Sequence, residues 1–433
     1  MNRLCSIASL SALAIANPAI AQEAEKPEYP SPNAIVEAAP ASEWVQIAPS
    51  DLLVMDLAPD AEGNARRVVI QLMPEPFSQG WIRNIRKLAA ARWWDGTSIN
   101  RVQDNYVVQW GDAGYDNPES GETERKALPE GLETVPEREY VISMDEFLDF
   151  MLGDQEEPGS VSAEDAAMAA MEAASGAADA MANPTPVPNW GGRDSYAELI
   201  QFYWGWPTAI ASDDQLFPVH CYGAVGVGRN YSPDTGSGAE LYTVIGHAPR
   251  HLDRNIALVG RVIEGIEHLS SLPRGKGQLG FYEDASKRVP ITSIRLASEL
   301  PKAEQPRFEY LDTEAETFAK YADARANRRD PFFIVPAGGA DICNIPVPVR
   351  RVRGSEFKQG DNCSIVLPRR RESISGPLLG TPFQEMDPCL RRGTISAFLH
   401  RVHWISLTLW PSLFPHLSFV GFQQFPEANS FLH

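Results

Sequence analysis

The chain has 433 residues, a formal net charge of −19 at pH 7, 43% hydrophobic residues and 22% charged residues. These proportions are ordinary for a soluble globular protein and lie outside the range of intrinsically disordered chains. The acidic excess argues against nucleic acid and against an anionic membrane surface as partners, because both favour clustered Lys and Arg.

Residues 1–21 have the three-part layout of a secretory signal peptide. A basic Arg3 precedes an apolar run from Leu4 to Ile15, and small residues end the segment just before Gln22. The apolar run is too short to span a bilayer permanently. We therefore expect an exported protein, periplasmic if the source is a Gram-negative bacterium, whose mature chain begins at Gln22.

Export would allow the cysteines to form disulfides. Outside the predicted signal peptide, which contains Cys5, the sequence has Cys221, Cys343, Cys363 and Cys389, and four cysteines allow three complete pairings. We favour a disulfide between Cys221 and Cys343, because both lie in well-patterned sequence. A buried free thiol at Cys221 is the alternative.

The N-terminal third of the expected mature chain alternates between irregular and regular patterns. Residues 22–50 begin with a stretch rich in Pro, Ala and Glu and are predicted to be flexible. The β-rich runs Leu52–Leu57 and Arg67–Leu72 flank a polar turn and predict a hairpin. From Ser78 the apolar residues adopt helical spacing, which predicts a helix with Ser78 as its N-terminal cap.

Residues 113–215 interrupt this rhythm with acidic, turn-rich sequence that includes an Ala-rich stretch, so we interpret them as an insertion. Strand patterns resume after it, with one further helix predicted over Glu264–Leu272. The later predicted strands are Val219–Val227, Leu241–Ile245, Ile256–Val262 and Ile291–Leu296. Many short strands with two convincing helices favour a closed or nearly closed β-barrel over a parallel α/β sheet.

Residues 300–353 are predicted to form a C-terminal extension of the barrel domain. A surface helix is expected over Asp312–Asn327, and strands are expected at Phe332–Val335 and Ile345–Val352. These elements follow the last predicted barrel strand and would pack outside it.

Residues 354–433 show neither a sustained hydrophobic period nor helix caps, and we predict a tail that is disordered or not natively folded. Its uncharged segment Val402–Gln423 is long enough to be considered as a membrane helix. Pro411 and Pro415 interrupt that segment, so no stable membrane span is expected.

Two patterns suggest cofactor or metal sites but lack the context that such sites need. The glycines between Gly223 and Gly228 resemble a phosphate-binding loop, yet turn sequence follows them where a helix would be required. His247 and His251 have the spacing of a helical metal pair, but Pro249 lies between them. We therefore expect no cofactor and no metal.

The segments Asp95–Val102 and Tyr106–Asp112 together resemble the core motif of the cyclophilins, a Gly turn, aromatic-x-Arg-Val, and then Phe-x-x-Gln-x-Gly-Asp. Further along, Ser237–Tyr242 resembles the family's Asn-Gly-Ser-Gln-Phe-Phe strand, and Leu252–Val262 resembles its Leu-Asp to Phe-Gly-Val segment. Order and spacing agree from about Leu52 to Leu296 outside the insertion.

The resemblance implies a mainly β fold, a closed eight-stranded antiparallel β-barrel with two flanking helices. The barrel domain would occupy residues 51–299, interrupted by the insertion at 113–215 and followed by the C-terminal extension. It also implies peptidyl-prolyl cis-trans isomerase activity on proline-containing segments of exported proteins.

Isomerisation needs neither a nucleophile nor a proton shuttle. Conjugation gives peptide-bond rotation a barrier of about 18–20 kcal/mol, so a catalyst must bind the twisted amide better than either planar form. Loss of conjugation returns a lone pair to the prolyl nitrogen, where a fixed cationic donor is stabilising. By resemblance Arg101 would be that donor, and Gln109 would orient Arg101 and bind the substrate backbone.

The resemblance also assigns the substrate-binding residues. Those expected in an apolar socket for the proline ring are Tyr106, Val107, Tyr242 and Leu252. Gly228 and Arg229 would face the substrate backbone. Glu240 takes the place of the usual pocket Gln and His251 that of the usual rim Trp. Further departures are Ile256 for the usual pocket His and Ile99 for the usual aromatic residue.

Glu240 would bring a negative charge near Arg101, and a direct ion pair between them would compete with substrate. Low activity and an altered peptide preference are therefore expected. Two other functions stay open from the sequence. One is a non-catalytic chaperone module that binds proline-containing segments in the same groove, and the other is an unrelated structural barrel of the cell envelope.

Overall fold

The computed structural model describes residues 29–115, 117–152 and 194–352, so the predicted signal peptide and the predicted tail at 354–433 lie outside the described residues. The helices are α1 (Pro32–Glu37), α2 (Gln79–Ala90), α3 (Met144–Leu152), α4 (Glu267–Ser270) and α5 (Glu316–Ala326). The strands are β1 (Trp44–Gln46), β2 (Leu52–Leu57), β3 (Arg66–Leu72), β4 (Ser98–Val102), β5 (Val107–Gly111), β6 (Ile142–Ser143), β7 (Leu199–Tyr203), β8 (Trp206–Ile210), β9 (Gln215–Pro218), β10 (Ala224–Val227), β11 (Leu241–Val244), β12 (Leu258–Glu264), β13 (Val289–Leu296), β14 (Phe308–Leu311) and β15 (Val349–Arg351).

Eight strands close into a barrel in the order β10-β11-β5-β4-β13-β2-β3-β12. Every neighbouring pair around the barrel is antiparallel. This arrangement confirms the mainly β, closed eight-stranded antiparallel barrel that the sequence predicted.

Strand β2 shows how the barrel forms part of two hydrophobic cores. Leu53 and Met55 point into the main core, while Leu52 and Val54 join a smaller cluster with Phe308 of β14. Successive side chains of a strand face opposite sides, so one run of apolar residues serves both cores. The sequence of β2 is therefore a nearly continuous hydrophobic run rather than an alternation of polar and apolar residues.

Helix α2 packs against the barrel through Trp81, Ile85 and Leu88, each with no exposed side-chain surface. Ser78 precedes the helix with φ of 55°, and its side chain makes no capping hydrogen bond. Ser78 therefore occupies the predicted N-cap position, but its side chain does not cap the helix. Instead, the side chain of Gln79 turns back and donates to the carbonyl of Phe77 over 2.7 Å.

Part of the predicted insertion builds a second sheet, in the order β6-β9-β8-β7. Its strands contribute to two cores on opposite faces. Trp206 and Ile210 belong to the main barrel core, whereas Phe202 and Ala209 join Phe318 of α5 in a second core. The sheet therefore lies between the barrel and the C-terminal extension.

The structure differs from the predicted flexible segment at 22–50, because its described part contains α1 and β1. Strand β1 pairs with β14, placing Trp44 opposite Leu311, and Trp44 is 8% exposed within the second core. The Ser31 side chain accepts a hydrogen bond from the N–H of Ala34 at the start of α1. Ser31 and Pro32 are a local start signal for α1 that the prediction of a flexible segment left out, whereas β1 depends on a distant partner.

Two further elements differ from expectation. The helix predicted over Glu264–Leu272 is reduced to α4, because β12 extends to Glu264 and Gly265 then adopts φ of 83°. The strand predicted at Phe332–Val335 is absent from this described segment, which lies between prolines as an exposed turn.

A disulfide joins Cys221 to Cys343, with their Cα atoms 5.1 Å apart. It connects the chain entering β10 to the C-terminal extension, and it is the pair that the sequence singled out. Among the described helices, none has the length and apolar character needed to cross a membrane.

Candidate active site

A cavity of about 400 Å³ opens at the side of the barrel where β4, β5, β10 and β11 meet. It brings together residues that lie far apart in the sequence. The predicted site residues that line it are Arg101, Tyr106, Val107, Gln109, Gly228, Arg229, Glu240, Tyr242 and Leu252.

Arg101 and Gln109 face each other across the β4–β5 pair. The strand register places them opposite one another after a shift between Ile99 and Arg101. A guanidinium N–H of Arg101 donates to the Gln109 Oε1 over 3.2 Å. A bulge re-aims side chains at a strand, and here it brings the cation beside the amide.

The Arg101 guanidinium is also fixed by the chain around it. Its Nε donates to the carbonyl of Leu279 over 2.7 Å, and a terminal nitrogen donates to the side chain of Gln103. The rings of Tyr106 and Phe281 lie 5.8 and 5.6 Å from its central carbon. Burial lowers the pKa of Arg101, although a guanidinium stays protonated in proteins.

Asn117 holds the other side of Gln109. The Gln109 amide donates to Asn117 Oδ1 over 3.0 Å. The Asn117 amide in turn donates to the carbonyl of Tyr115 at 2.6 Å and to Glu240 Oε2 at 3.2 Å. Because Tyr115 offers an acceptor only, Asn117 has a fixed orientation, and the Gln109 carbonyl is directed toward Arg101.

Glu240 is 4% exposed and does not pair with Arg101. Its Oε1 accepts a hydrogen bond from the backbone N–H of Asp112 over 2.7 Å. Burial raises the pKa of Glu240 well above its usual range, against the lowering effect of its hydrogen bonds. The ion pair that would compete with substrate is therefore not formed.

Apolar side chains line the cavity next to Arg101 and Gln109, since Tyr242 lies opposite Gln109 in the β11–β5 register. Val107 and Tyr242 are buried, and Tyr106, Leu252 and Ile256 are partly exposed. Burial raises the pKa of Tyr242 well above its usual range, which keeps the phenol neutral. A ring of the size of proline would meet aromatic and aliphatic surface here.

Gly228 and Arg229 form the edge of the cavity beside Glu240. The N–H of Gly228 donates to the carbonyl of Glu240 over 2.8 Å. A Cβ on Gly228 would come within 3.0 Å of the Glu240 Cβ, so a side chain there would crowd Glu240. The Arg229 guanidinium donates to the carbonyl of Asn255 over 2.7 Å, which fixes it along the rim.

His251 is the predicted substrate-binding residue that does not line the cavity. It is exposed, and its ring stacks against Tyr106 at 6.1 Å between centroids. His251 therefore supports a lining residue from outside. In the part of the chain that the structure describes, no three His, Cys, Asp or Glu side chains are grouped to hold a metal ion.

Residues 60–175 match the family model described as cyclophilin type peptidyl-prolyl cis-trans isomerase. Residues 60–175 are thus a cyclophilin-type segment. The match covers strands β3 to β5, runs past Asp112 into the segment that we interpreted as an insertion, and includes Asn117. The loop that positions Gln109 therefore lies within the matched segment.

Solved structures similar to this chain include cyclophilins from two organisms. Cyclophilin AquaCyp293 from Hirschia baltica has 19% identity and a TM-score of 0.45, covering 72% of this chain and 95% of its own. A Cryptosporidium parvum cyclophilin type peptidyl-prolyl cis-trans isomerase, in the presence of the dipeptide Ala-Pro, has 9% identity and a TM-score of 0.29. That match covers 56% of this chain and 98% of the other. No curated protein sequence matches this chain.

Sequence reasoning missed several residues around the cavity of the cyclophilin-type domain. They come from the loop after β5, the turn after β10 and the loop before β13, which carry none of the quoted motifs. They are Tyr115, Asn117, Glu119, Asn230, Tyr231, Asp234, Gly236, Leu279 and Phe281.

Proposed function

We propose that this chain catalyses cis–trans isomerisation of X–Pro peptide bonds, with Arg101 as the group that stabilises the twisted amide. The observation that carries the proposal is the pairing of Arg101 with Gln109 in a cavity that apolar side chains also line. The family match supports isomerase activity in general.

The geometry gives Arg101 the two properties that the chemistry requires. Its guanidinium is desolvated, so a hydrogen bond to the prolyl nitrogen would be stronger than in water. Three protein acceptors fix its position before substrate arrives, so little reorganisation accompanies the reaction. Gln103 is one of those acceptors and belongs to the same strand region.

Arg101 also keeps donors for a substrate. A guanidinium has five N–H groups, and its hydrogen bonds to described residues use Nε and one N–H on each terminal nitrogen. The second N–H of each terminal nitrogen is available to a peptide in the cavity. In the planar amide the prolyl nitrogen is a poor acceptor, so the new bond favours the transition state.

The apolar lining residues would hold the proline ring. Tyr106, Val107, Tyr242 and Leu252 provide apolar surface, and burial of a proline ring against it contributes about 25 cal/mol for each Å² removed from water. This contribution is similar for both planar isomers and for the twisted form, so it governs binding rather than rate.

The clients that we propose are exported proteins. Two features support this: the signal-peptide-like sequence at residues 1–21, and the disulfide between Cys221 and Cys343, since disulfides persist in oxidising compartments. A periplasmic location is proposed if the source is a Gram-negative bacterium.

Peptide binding without catalysis is the second candidate, and one observation favours it. The carbonyl of Leu279 and the side chains of Gln103 and Gln109 all accept from Arg101. If these bonds hold the guanidinium away from the prolyl nitrogen, the groove would bind proline segments as a chaperone module does.

The test is a proline-isomerisation assay on the mature chain and on Arg101→Ala. We expect kcat/KM to fall by about 10²- to 10³-fold, the usual effect of removing a preorganised charge-stabilising donor. Peptide affinity should change little. Arg83→Ala is the matched control, because Arg83 lies on the exposed face of α2 and pairs with Glu133 away from the cavity.

Equal rates for the wild type and the uncatalysed reaction, with peptide binding retained, would replace the isomerase with the binding module. Arg101→Lys separates charge from shape. A lysine keeps the charge but lacks the planar fork, so we expect it to recover only a small part of the lost activity.

A further inference from the structure

A chain of buried polar side chains runs behind the apolar wall of the cavity, starting at the hydroxyl of Tyr242. That hydroxyl lies 2.9 Å from Nε2 of His220, and Nδ1 of His220 lies 2.8 Å from Oδ1 of Asp253. The three residues are 5%, 1% and 5% exposed. Because a carboxylate only accepts, Nδ1 of His220 donates to Asp253, and Nε2 of His220 shares a hydrogen bond with the Tyr242 hydroxyl.

The chain continues to the segment that leads into the second sheet. Asp253 Oδ2 accepts from Nε of Arg250 at 2.5 Å, and Arg250 donates to Oδ2 of Asp194 at 2.7 Å. The Arg250 and Asp194 side chains are 2% and 3% exposed. Charges buried this deeply are tolerated only when they are paired and hydrogen-bonded, so the network requires all of its members.

Two parts of the chain meet in this network. Tyr242 belongs to β11, and Arg250 and Asp253 follow it, whereas Asp194 precedes β7 and His220 follows β9. The second sheet therefore contributes His220 to the back of the cavity wall. None of the motifs that suggested the cyclophilin resemblance includes His220.

Tyr242 presents its ring to the cavity and its hydroxyl to His220. Tyr242 lines the cavity and His220 does not. The ring lies over Gly226, where a Cβ would come within 2.3 Å of the Tyr242 hydroxyl. In the Asn-Gly-Ser-Gln-Phe-Phe pattern that Ser237–Tyr242 resembles, Phe stands at this position, so the hydroxyl is the feature that this chain adds.

We propose that His220 is a positioning residue that holds the Tyr242 ring through its hydroxyl and thereby fixes the size of the proline socket. The inference rests on the proposed function, since it concerns the same site. A Tyr242 ring that is held at both ends leaves room for a five-membered substrate ring and excludes a larger one. Without the anchor, the Tyr242 ring can tilt, and the socket admits substrate rings of both sizes.

The experiment compares two peptides that differ only in ring size, one with proline and one with its six-membered homologue pipecolic acid. The readout is the ratio of their kcat/KM values. We expect Tyr242→Phe to reduce the preference for proline by about three- to tenfold, the range for loss of one hydrogen bond.

Two substitutions of His220 provide matched variants. His220→Gln can place an amide near the position of Nε2 and keep the contact with Tyr242. His220→Asn can place its amide near Nδ1 and keep only the contact with Asp253. We expect the Gln variant to retain the wild-type preference and the Asn variant to lose it. The double variant that combines His220→Asn with Tyr242→Phe should show the same loss of preference as either of these two single changes.

If Tyr242→Phe leaves the ratio of kcat/KM values for the two peptides unchanged, the inference is overturned. This variant removes a single oxygen, so it tests the inference even if the His220 variants fail to fold. A purely structural role would lower the amount of folded enzyme and leave the ratio unchanged. If the wild type isomerises neither peptide, the proposed function fails separately. In that case calorimetry measures the ratio of the equilibrium affinities for the two peptides. An equal ratio in the wild type and in Tyr242→Phe then overturns the inference.

Discussion

Replacing Glu240 with Gln should change how the stability of the protein depends on pH. Glu240 is buried, and its folded-state pKa is raised, chiefly by desolvation. A carboxyl with a raised pKa contributes stability that is complete below its unfolded pKa of about 4.3. That contribution is lost as the pH rises through the folded pKa, so the wild type should lose stability relative to Glu240→Gln over this window.

The size of the effect follows from linkage. Each unit by which the pKa is raised corresponds to about 1.4 kcal/mol of unfolding free energy lost above the folded pKa. A second contribution does not depend on pH. Glu240 accepts from the N–H of Asp112 and from Asn117, and a Gln amide must turn a donor toward one of them. The buried mismatch costs about 1–3 kcal/mol at every pH.

Urea unfolding of the wild type and Glu240→Gln between pH 4 and pH 9 separates the two contributions. The mismatch changes the free energy of unfolding by the same amount at every pH, whereas the titration of Glu240 changes how that free energy varies with pH. Glu133→Gln is the control with opposite sign, because hydrogen bonds from Arg83 lower the Glu133 pKa. A constant difference between wild type and Glu240→Gln would show that burial does not raise this pKa. A wild type that gains relative stability with rising pH would refute the reasoning outright.

Three further changes test other parts of the structure. Asn117→Ala removes the acceptor at 3.0 Å from the Gln109 amide, and we expect about a tenfold lower kcat/KM with about 1–3 kcal/mol lower stability, measured by assay and urea unfolding. Replacing Cys221 and Cys343 together by Ser should cost about 2–5 kcal/mol, because the bond closes a loop with a separation of 122 residues; an unchanged melting temperature under reducing conditions would contradict it. Trp44→Ala should cost about 3–5 kcal/mol by calorimetry if the N-terminal segment packs as described, whereas a flexible segment predicts no change.

The barrel could be predicted because its signals are local. Strands such as β2 and β3 contain dense apolar and β-branched residues around a polar turn, and the residues of α2 have a helical period. Arg101 and Gln109 could be predicted because they lie within a motif of fixed spacing on two adjacent strands. Short spacing limits where such residues can be placed relative to each other.

Features that depend on distant partners could not be predicted in this way. Strand β1 has only three residues and is defined by its pairing with β14. The contact between His220 and Tyr242 spans separate elements, and neither residue has a local pattern that indicates the other. The raised pKa of Glu240 arises from burial, which its sequence neighbours do not reveal.

The central claim is that Arg101 lowers the barrier to rotation of an X–Pro bond. The most direct measurement is magnetisation exchange between the cis and trans forms of a proline peptide, recorded by NMR with catalytic amounts of the wild type and of Arg101→Ala. We predict rapid exchange with the wild type and near-uncatalysed exchange with the variant, at similar peptide affinity. Equal exchange rates for the two proteins would contradict the account.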